Sequence, residues 1–144
     1  MTVIYIDTSA FMRACLPDAS DHAEALALLT RRPGALVSSE LLWLEADRAA
    51  IRLATEDPSL ATLPRQVTAA LSHIDRVSLD RAVIAAARQI PQIVKSLDAI
   101  HVASAETLGD ELSCVVTYDK TLTLVLQQRG HVVYTAAQAN RAWT

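Results

Sequence analysis

The feature that most constrains the fold is a short apolar run, residues 3–6, in which no polar residue alternates with the apolar ones. A strand with one face in water alternates polar and apolar residues, whereas a strand covered on both faces stays apolar throughout. Further candidate strands are residues 35–37, 77–79, 114–117 and 131–134. Because helical segments lie between them, the pattern predicts an α/β fold whose parallel sheet has right-handed crossovers and helices on both faces.

Helices are predicted between the candidate strands from the spacing of apolar residues. This spacing also predicts which residues are buried: Ala23, Leu26 and Leu29 in one helix, and Leu41, Leu44 and Ala49 in the next. The second of these helices and another over residues 59–73 form a predicted helical hairpin. Asp80 and Ser96 are predicted to cap later helices, and residues 7–18 are interpreted as a turn.

The size and composition of the chain limit its class. A length of 144 residues, of which 51% are apolar, predicts a single domain over residues 1–144. The first residues contain no basic segment, and their apolar run is too short for a signal peptide or a membrane span, which predicts a cytoplasmic protein without membrane contact. Cys15 and Cys114 lack the spacing of metal ligands and are predicted to be reduced core thiols.

The charge of the chain excludes binding of nucleic acid through bulk attraction, because 13 basic and 16 acidic residues give a net charge of −3. Aromatic residues make up only 4% of the chain, which leaves few rings for stacking on bases. Any contact with phosphates is therefore expected to be local.

Acidic residues are placed near the ends of the predicted strands. Asp7 follows the first strand, and Asp119 follows the strand at residues 114–117. Asp98 and Glu45 lie near the starts of two predicted helices, which begin at the same edge of the sheet. In open parallel sheets, ligands bind beyond the carboxyl ends of the strands, so we expect the four acids to converge there.

Four carboxylates at one edge of a sheet predict a metal site. Like charges in a small volume raise one another's pKa values and cost stability unless a cation is bound. Oxygen ligands favour Mg²⁺ or Mn²⁺, and such an ion can assist phosphodiester hydrolysis. Taken one at a time, however, Asp7, Asp98 and Asp119 are equally well explained as helix caps or first-turn residues, and Glu45 as an ordinary helical residue.

Smaller polar side chains near the acids have two interpretations. Thr8, Ser9 and Thr117 either orient the acids and bind water, or only complete hydrogen bonds within turns. We favour the orienting role for Ser9 and Thr117. His101 lies one turn after Asp98, and we favour a role in helix packing over a place in the site.

Longer motifs surround the acids. They are Ile6-Asp7-Thr8-Ser9-Ala10, the stretch from Ser38-Ser39 through Glu45 to Arg48-Ala49, Leu97-Asp98-Ala99-Ile100-His101-Val102-Ala103-Ser104-Ala105, and Val116-Thr117-Tyr118-Asp119. In this order and spacing the motifs resemble the PIN domain, specifically the VapC toxins of type II toxin–antitoxin modules. The resemblance spans nearly the whole chain.

The resemblance implies a fold, an activity and a site. The fold is a three-layer α/β/α arrangement with a five-stranded parallel sheet in the order 3-2-1-4-5, and the activity is that of a Mg²⁺-dependent endoribonuclease acting on transfer or ribosomal RNA. Mn²⁺ is an expected substitute. The family's catalytic and metal-binding acids carry over to Asp7, Glu45, Asp98 and Asp119. Glu40 is a rival for the second position, and Asp119 corresponds to the acid that varies within the family.

The resemblance also implies partners, namely a second copy in a homodimer, an RNA substrate, a cognate VapB antitoxin, and operator DNA reached only through that antitoxin. The alternative is a PIN-like protein with weak catalysis that acts mainly through partner binding. Two unrelated classes fit less well. A haloacid-dehalogenase-like phosphatase needs an Asp where Ser9 stands, and a response-regulator receiver needs adjacent acids where Thr8 follows Asp7.

Overall fold

Five parallel strands form one sheet in the computed structural model, which describes residues 2–31 and 34–143. The strands are β1 Val3–Ile6, β2 Ala35–Ser39, β3 Asp75–Val77, β4 Leu112–Val116 and β5 Val133–Tyr134. Their order across the sheet is β3-β2-β1-β4-β5, which confirms the predicted order. β1 lies in the centre, where it pairs with β2 on one side and with β4 on the other.

Helices connect the strands and cover the sheet. They are α1 Thr8–Cys15, α2 His22–Arg31, α3 Leu41–Glu56, α4 Leu63–Leu71, α5 Arg81–Arg88, α6 Ser96–Glu106, α7 Lys120–Gln128 and α8 Ala136–Ala142. As predicted, α3 and α4 form a helical hairpin, joined through a short 3-10 turn at Pro58–Leu60. No helix in the described part of the chain is long and apolar enough to cross a membrane.

Both faces of the sheet are covered, as the side chains of β1 illustrate. Ile4 and Ile6 lie in one apolar cluster with residues of α1, α2, α3, α4 and α8. Tyr5, which lies between them in sequence, belongs to a second cluster with residues of α6 and α7. Successive side chains of a strand point to opposite faces, so a strand covered on both faces needs apolar residues at every position. The unbroken apolar run of β1 meets that need.

The predicted buried faces of α2 and α3 were partly wrong, although Leu29 and Leu41 are buried as predicted. Leu26 and Leu44 are exposed by 41% and 61%, whereas Leu28 and Leu42 are buried. Apolar spacing gives the period of an amphipathic helix, but both helices carry apolar residues on more than one side. Packing against the sheet therefore decides which of these sides is covered.

Two helices were not predicted. The segment interpreted as a turn, residues 7–18, contains α1, whose first backbone groups are capped when the Asp7 side chain accepts a hydrogen bond from the Ala10 amide at 3.0 Å. The last helix, α8, begins with a capping box in which Thr135 and Gln138 exchange hydrogen bonds between side chain and backbone. Both helices are short, which weakens their periodicity.

The predicted caps of the later helices were partly correct. Asp80 caps α5 by accepting a hydrogen bond from the Val83 amide at 2.9 Å. Ser96 does not cap α6, because it is the first helical residue; the cap position belongs to Lys95, whose side chain makes no capping bond. Gly130 follows α7 with a φ of +87°, a backbone conformation that glycine adopts without strain.

Candidate active site

Four acids lie near the carboxyl edge of the sheet, where the strands end and the following helices begin. Asp7 directly follows β1, and Asp119 lies between β4 and α7. Glu45 lies in α3, the helix that follows β2, and Asp98 lies in the first turn of α6. The parallel topology therefore brings together side chains that are more than 100 residues apart in sequence.

Asp7 is buried and fully held by hydrogen bonds. Its side chain is 4% exposed, and its Oδ1 accepts from the Ala10 amide and from the Ser9 hydroxyl at 3.0 and 2.8 Å. Its Oδ2 accepts from the Thr117 hydroxyl at 2.5 Å. Burial raises the pKa of Asp7, although these hydrogen bonds and the nearby His101 oppose the rise. The carboxylate is thus rigidly placed and desolvated at once.

Ser9 and Thr117 connect Asp7 to the segment that carries Asp119. The Thr117 hydroxyl donates to Asp7 and accepts from the Asp119 amide at 3.1 Å, and the Ser9 hydroxyl accepts from the Tyr118 amide at 3.0 Å. The predicted contacts of Ser9 and Thr117 with an acid are therefore present. Each hydroxyl also completes a backbone hydrogen bond, so the two interpretations offered by the sequence hold together.

Asp119 is half-buried and caps α7. Its Oδ1 accepts a hydrogen bond from the Leu122 amide at 2.8 Å. Its Oδ2 has no hydrogen-bond partner among the residues the structure describes. The reading of Asp119 as a helix cap is thus correct, and one of its oxygens remains free to face the other acids.

Glu45 is held through one of its two oxygens. Its Oε1 accepts from the Thr8 hydroxyl at 2.6 Å and from His101 Nε2 at 2.9 Å. Burial raises the pKa of Glu45, but the hydrogen bonds from His101 and Thr8 outweigh that effect, so the pKa lies below its usual value. Within residues 2–31 and 34–143, Oε2 makes no hydrogen bond to protein.

Asp98 is the least compensated of the four acids. It is half-buried, and across the described ranges its carboxylate accepts no hydrogen bond from protein. Burial raises its pKa, and the negative charges of Asp119, Asp7 and Glu45 raise it further, opposed by His101. Asp98 therefore shares one electrostatic environment with the other three acids.

Glu40, the alternative to Glu45 for the second acidic position, contacts residues other than the three remaining acids. Its carboxylate forms an ion pair with Arg76 at 3.9 Å, and the Arg76 guanidinium stacks over the Trp43 ring at 4.2 Å from its centroid. The negative charge of Glu45, by contrast, is among the causes that raise the pKa of Asp98. The geometry therefore places Glu45 with the other acids.

His101 belongs to the site rather than to helix packing alone, contrary to our expectation. It is 4% exposed, its Nε2 contacts Glu45, and its Nδ1 lies 2.7 Å from the Tyr5 hydroxyl. One sequence signal was available, because residues three apart in a helix lie on the same face and His101 follows Asp98 by three. The role of Tyr5 carried no such signal, because a tyrosine in an apolar strand is ordinary.

The acids fit a hydrated cation better than a fully enclosed one. Across residues 2–31 and 34–143, no group of three or more His, Cys, Asp or Glu side chains is arranged to hold a metal ion. Mg²⁺, however, keeps several of its waters and is commonly bound by one or two carboxylates together with substrate phosphates. Carboxylate oxygens that accept no hydrogen bond from the described residues remain on Glu45, Asp98 and Asp119. The donor set is therefore suited to Mg²⁺ or Mn²⁺ with part of its water shell.

Residues 4–125 of the chain match the PIN domain family. The chain is similar to the protein named ribonuclease VapC46 from Mycobacterium tuberculosis. The two are 35% identical over 134 residues, which cover 92% of this chain and 97% of that protein. All four acids lie within the matched PIN segment.

Two solved structures share the fold. The first is VapC20 from Mycobacterium tuberculosis, described as a Sarcin-Ricin loop cleaving toxin, with a TM-score of 0.62 and 15% identity over 90% of this chain and 96% of that chain. The second is VapBC2 from Rickettsia felis bound to a DNA fragment from their promoter, with a TM-score of 0.65 and 10% identity over 92% and 98% of the two chains. At these identities the likeness shows the three-layer fold.

Proposed function

The chain belongs to the PIN domain family, and within it to the VapC ribonuclease toxins, and we propose from this premise that it is a divalent-metal-dependent endoribonuclease. The observation that carries the metal dependence is the Asp98 carboxylate, which is half-buried beside three other acids without a hydrogen bond from the described protein. Such an arrangement is costly unless a cation compensates it. A cation is also what an acidic site needs in order to accept a phosphodiester.

Asp7 and Asp98 are the proposed principal ligands of Mg²⁺ or Mn²⁺, assisted by Glu45 and Asp119. When bound, such an ion supplies a nucleophile from water at neutral pH and neutralises charge on the scissile phosphate. The residues of the protein position the carboxylates that would bind the ion. Ser9 and Thr117 fix the orientation of Asp7, while the remaining acids leave oxygens available at the same edge of the sheet.

Cleavage of RNA by the purified protein, freed of any partner, tests this proposal. We expect cleavage in Mg²⁺ or Mn²⁺ that stops when a chelator is added. Asp7→Asn and Asp98→Asn are each expected to lower the rate at least about 100-fold, because each removes a charge from the ligand set. Asp110→Asn is the matched control, since Asp110 is an exposed acid in the turn before β4.

Two outcomes would contradict the assignment. Equal rates for wild type, Asp7→Asn and Asp98→Asn would remove these acids from catalysis. Cleavage that persists at full rate in excess chelator would remove the metal. A wild-type protein that binds a partner tightly but cleaves no RNA would favour the alternative, a PIN-like protein acting mainly through partner binding.

The partners proposed for the chain follow from the family. We propose a cognate VapB antitoxin that blocks the acidic site, a homodimer as the toxin's own assembly, and operator DNA reached only through the antitoxin. The solved structure of VapBC2 from Rickettsia felis, bound to a DNA fragment from their promoter, supports the proposal of an antitoxin and of promoter DNA as partners. The substrate class we propose is transfer or ribosomal RNA, and mapping the 5′ ends of cellular RNA after induction would identify the cleavage site.

Growth arrest is the expected result of producing the chain without its antitoxin. Co-production of the VapB protein encoded next to it should restore growth. The Asp98→Asn variant should be harmless at the same protein level while still binding the antitoxin. Normal growth in cells that accumulate the folded wild-type protein would count against a toxin role.

A further inference from the structure

A chain of hydrogen bonds leads from the backbone of β2 to the carboxylate of Glu45. The Ser39 amide donates to the Tyr5 hydroxyl at 3.1 Å, which lies 2.7 Å from His101 Nδ1. His101 Nε2 in turn lies 2.9 Å from Glu45 Oε1. Tyr5 is completely buried and His101 is almost so, which makes this path inaccessible to bulk solvent.

The Glu45 carboxylate assigns the donor nitrogen of the imidazole, because an ionised carboxylate can only accept and Nε2 must therefore donate to it. The Tyr5 oxygen accepts the Ser39 amide proton and can donate its own hydroxyl proton to Nδ1. A neutral imidazole that accepts at Nδ1 carries its proton at Nε2. The Nε2 proton is then donated to Glu45, whose ionised carboxylate can only accept.

Two donors converge on a single oxygen of Glu45. The Thr8 hydroxyl and His101 Nε2 both donate to Oε1, at 2.6 and 2.9 Å, from two different helices. Among the residues the structure describes, Oε2 receives no donor. This asymmetry fixes the rotation of the carboxylate and leaves one defined oxygen for a ligand.

We propose that His101 is a positioning residue, held in its Nε2-protonated form by Tyr5, which turns the second oxygen of Glu45 toward the metal. The inference rests on the proposed function, because it takes Glu45 as a metal ligand. Groups that orient a metal ligand in this way commonly change metal affinity by about 10- to 100-fold when they are lost.

The test uses two substitutions of His101 that separate its nitrogens. The amide nitrogen of His101→Gln reaches the position of Nε2, whereas that of His101→Asn reaches only the position of Nδ1. We expect His101→Gln to keep the Mn²⁺ affinity of the RNA-free protein within about threefold of wild type, and His101→Asn to weaken it about tenfold or more. Isothermal titration calorimetry with Mn²⁺ gives both values, and thermal unfolding shows whether the two variants are equally stable.

Glu45→Gln separates failure of this inference from failure of the proposed function. If Glu45→Gln weakens Mn²⁺ binding while His101→Asn binds as wild type does, the positioning role of His101 is wrong and the metal site stands. If Glu45→Gln leaves Mn²⁺ binding unchanged, Glu45 is not a ligand and both claims about it are wrong. Equal losses in His101→Gln and His101→Asn would also overturn the positioning role.

A spectrum of the wild-type protein tests the same claim without any substitution. The chain contains four histidines, so a long-range ¹H–¹⁵N spectrum of ¹⁵N-histidine-labelled protein resolves few signals. We expect the His101 ring, identified by its loss in His101→Gln, to show a protonated Nε2 and an unprotonated Nδ1. A proton at Nδ1 with Nε2 unprotonated would contradict the assignment.

Discussion

At the scale of single residues, Asp98 is the acid whose negative charge is least compensated by hydrogen bonds. Asp7 is also buried, but the hydroxyls of Ser9 and Thr117 and the Ala10 amide compensate its charge. Asp98 has no such donors in the described chain, and its neighbours are negative. The acid whose charge is least compensated in the metal-free protein is thus also one of the two proposed principal ligands of the cation.

Asp98→Asn should therefore stabilise the metal-free protein. We expect the free energy of unfolding at pH 7 to rise by about 0.5 kcal/mol, a small gain because solvent screens a half-exposed carboxylate. The raised pKa means that the native state binds the proton of Asp98 more tightly than the unfolded state does. The gain is accordingly full above the native pKa and fades as the pH falls toward 3.8, the ordinary value.

Urea unfolding in the presence of chelator measures this difference. Adding Mg²⁺ should stabilise the wild type and leave Asp98→Asn nearly unchanged, since only the wild type retains the full ligand set. Asp110→Asn should match the wild type in both conditions. A metal-free Asp98→Asn variant less stable than wild type would show that the carboxylate is not under repulsion.

At the scale of elements, an ion cluster joins the ends of α6 and α7. Glu106, at the end of α6, accepts from Arg129 through two bonds of 2.6 and 2.8 Å and from His131 at 2.7 Å. Burial raises the pKa of Glu106, but the Arg129 and His131 contacts outweigh it, so the pKa lies below its usual value. Because α6 carries Asp98 at its other end and α7 begins at Asp119, this cluster helps to hold the two acids in place.

Glu106→Gln should destabilise the fold by about 1 kcal/mol at neutral pH, because it weakens a bidentate contact with arginine. A native pKa below 4.5 contributes stability that is fully present above pH 4.5 and is lost as the pH falls through the native value. The difference between wild type and variant in urea unfolding should therefore shrink below pH 4.5. Glu111→Gln, an exposed acid nearby in the sequence, is the control, and a difference that grows with acidity would contradict the account.

The elements also show what the sequence could and could not predict. Strands were predicted from apolar runs such as that of β1, whereas their order was implied by the resemblance to the PIN domain. The exposed strand β3, at residues 75–77, lies two residues before its predicted position. The short helices α1 and α8 were missed, because their apolar spacing extends over too few residues. The buried faces of α2 and α3 were predicted wrongly at Leu26 and Leu44, since the packing that selects a face is not local.

At the scale of the whole molecule, the topology explains why the convergence of these acids at one edge of the sheet could be predicted. Asp7 and Asp119 follow neighbouring strands of a parallel sheet, so the fold alone brings them to one edge. The contacts of His101 with Glu45 and Tyr5 could not be predicted in the same way. They depend on how α3 and α6 face each other across the edge, which the order of elements does not specify.

The net charge of −3 makes it harder for RNA to approach the carboxyl edge of the sheet. A chain of this charge does not attract RNA over long distances, and its most acidic region is the proposed cleavage site. Binding of a phosphodiester there requires positive charge that the acids themselves do not supply. In the proposed function, a divalent cation bound at these four carboxylates supplies that charge.

Anomalous diffraction from crystals soaked in Mn²⁺ tests the binding of that cation most directly. We expect a strong anomalous peak at the carboxyl edge of the sheet, from an ion bound by Asp7 and Asp98 at roughly the 2.0–2.2 Å of oxygen ligands to small divalent ions. Water is expected to complete the coordination, and Asp98→Asn crystals should lose the peak. If no peak appears near these acids at saturating Mn²⁺, or if Asp98→Asn leaves the peak unchanged, the proposed binding of the cation by these acids is wrong.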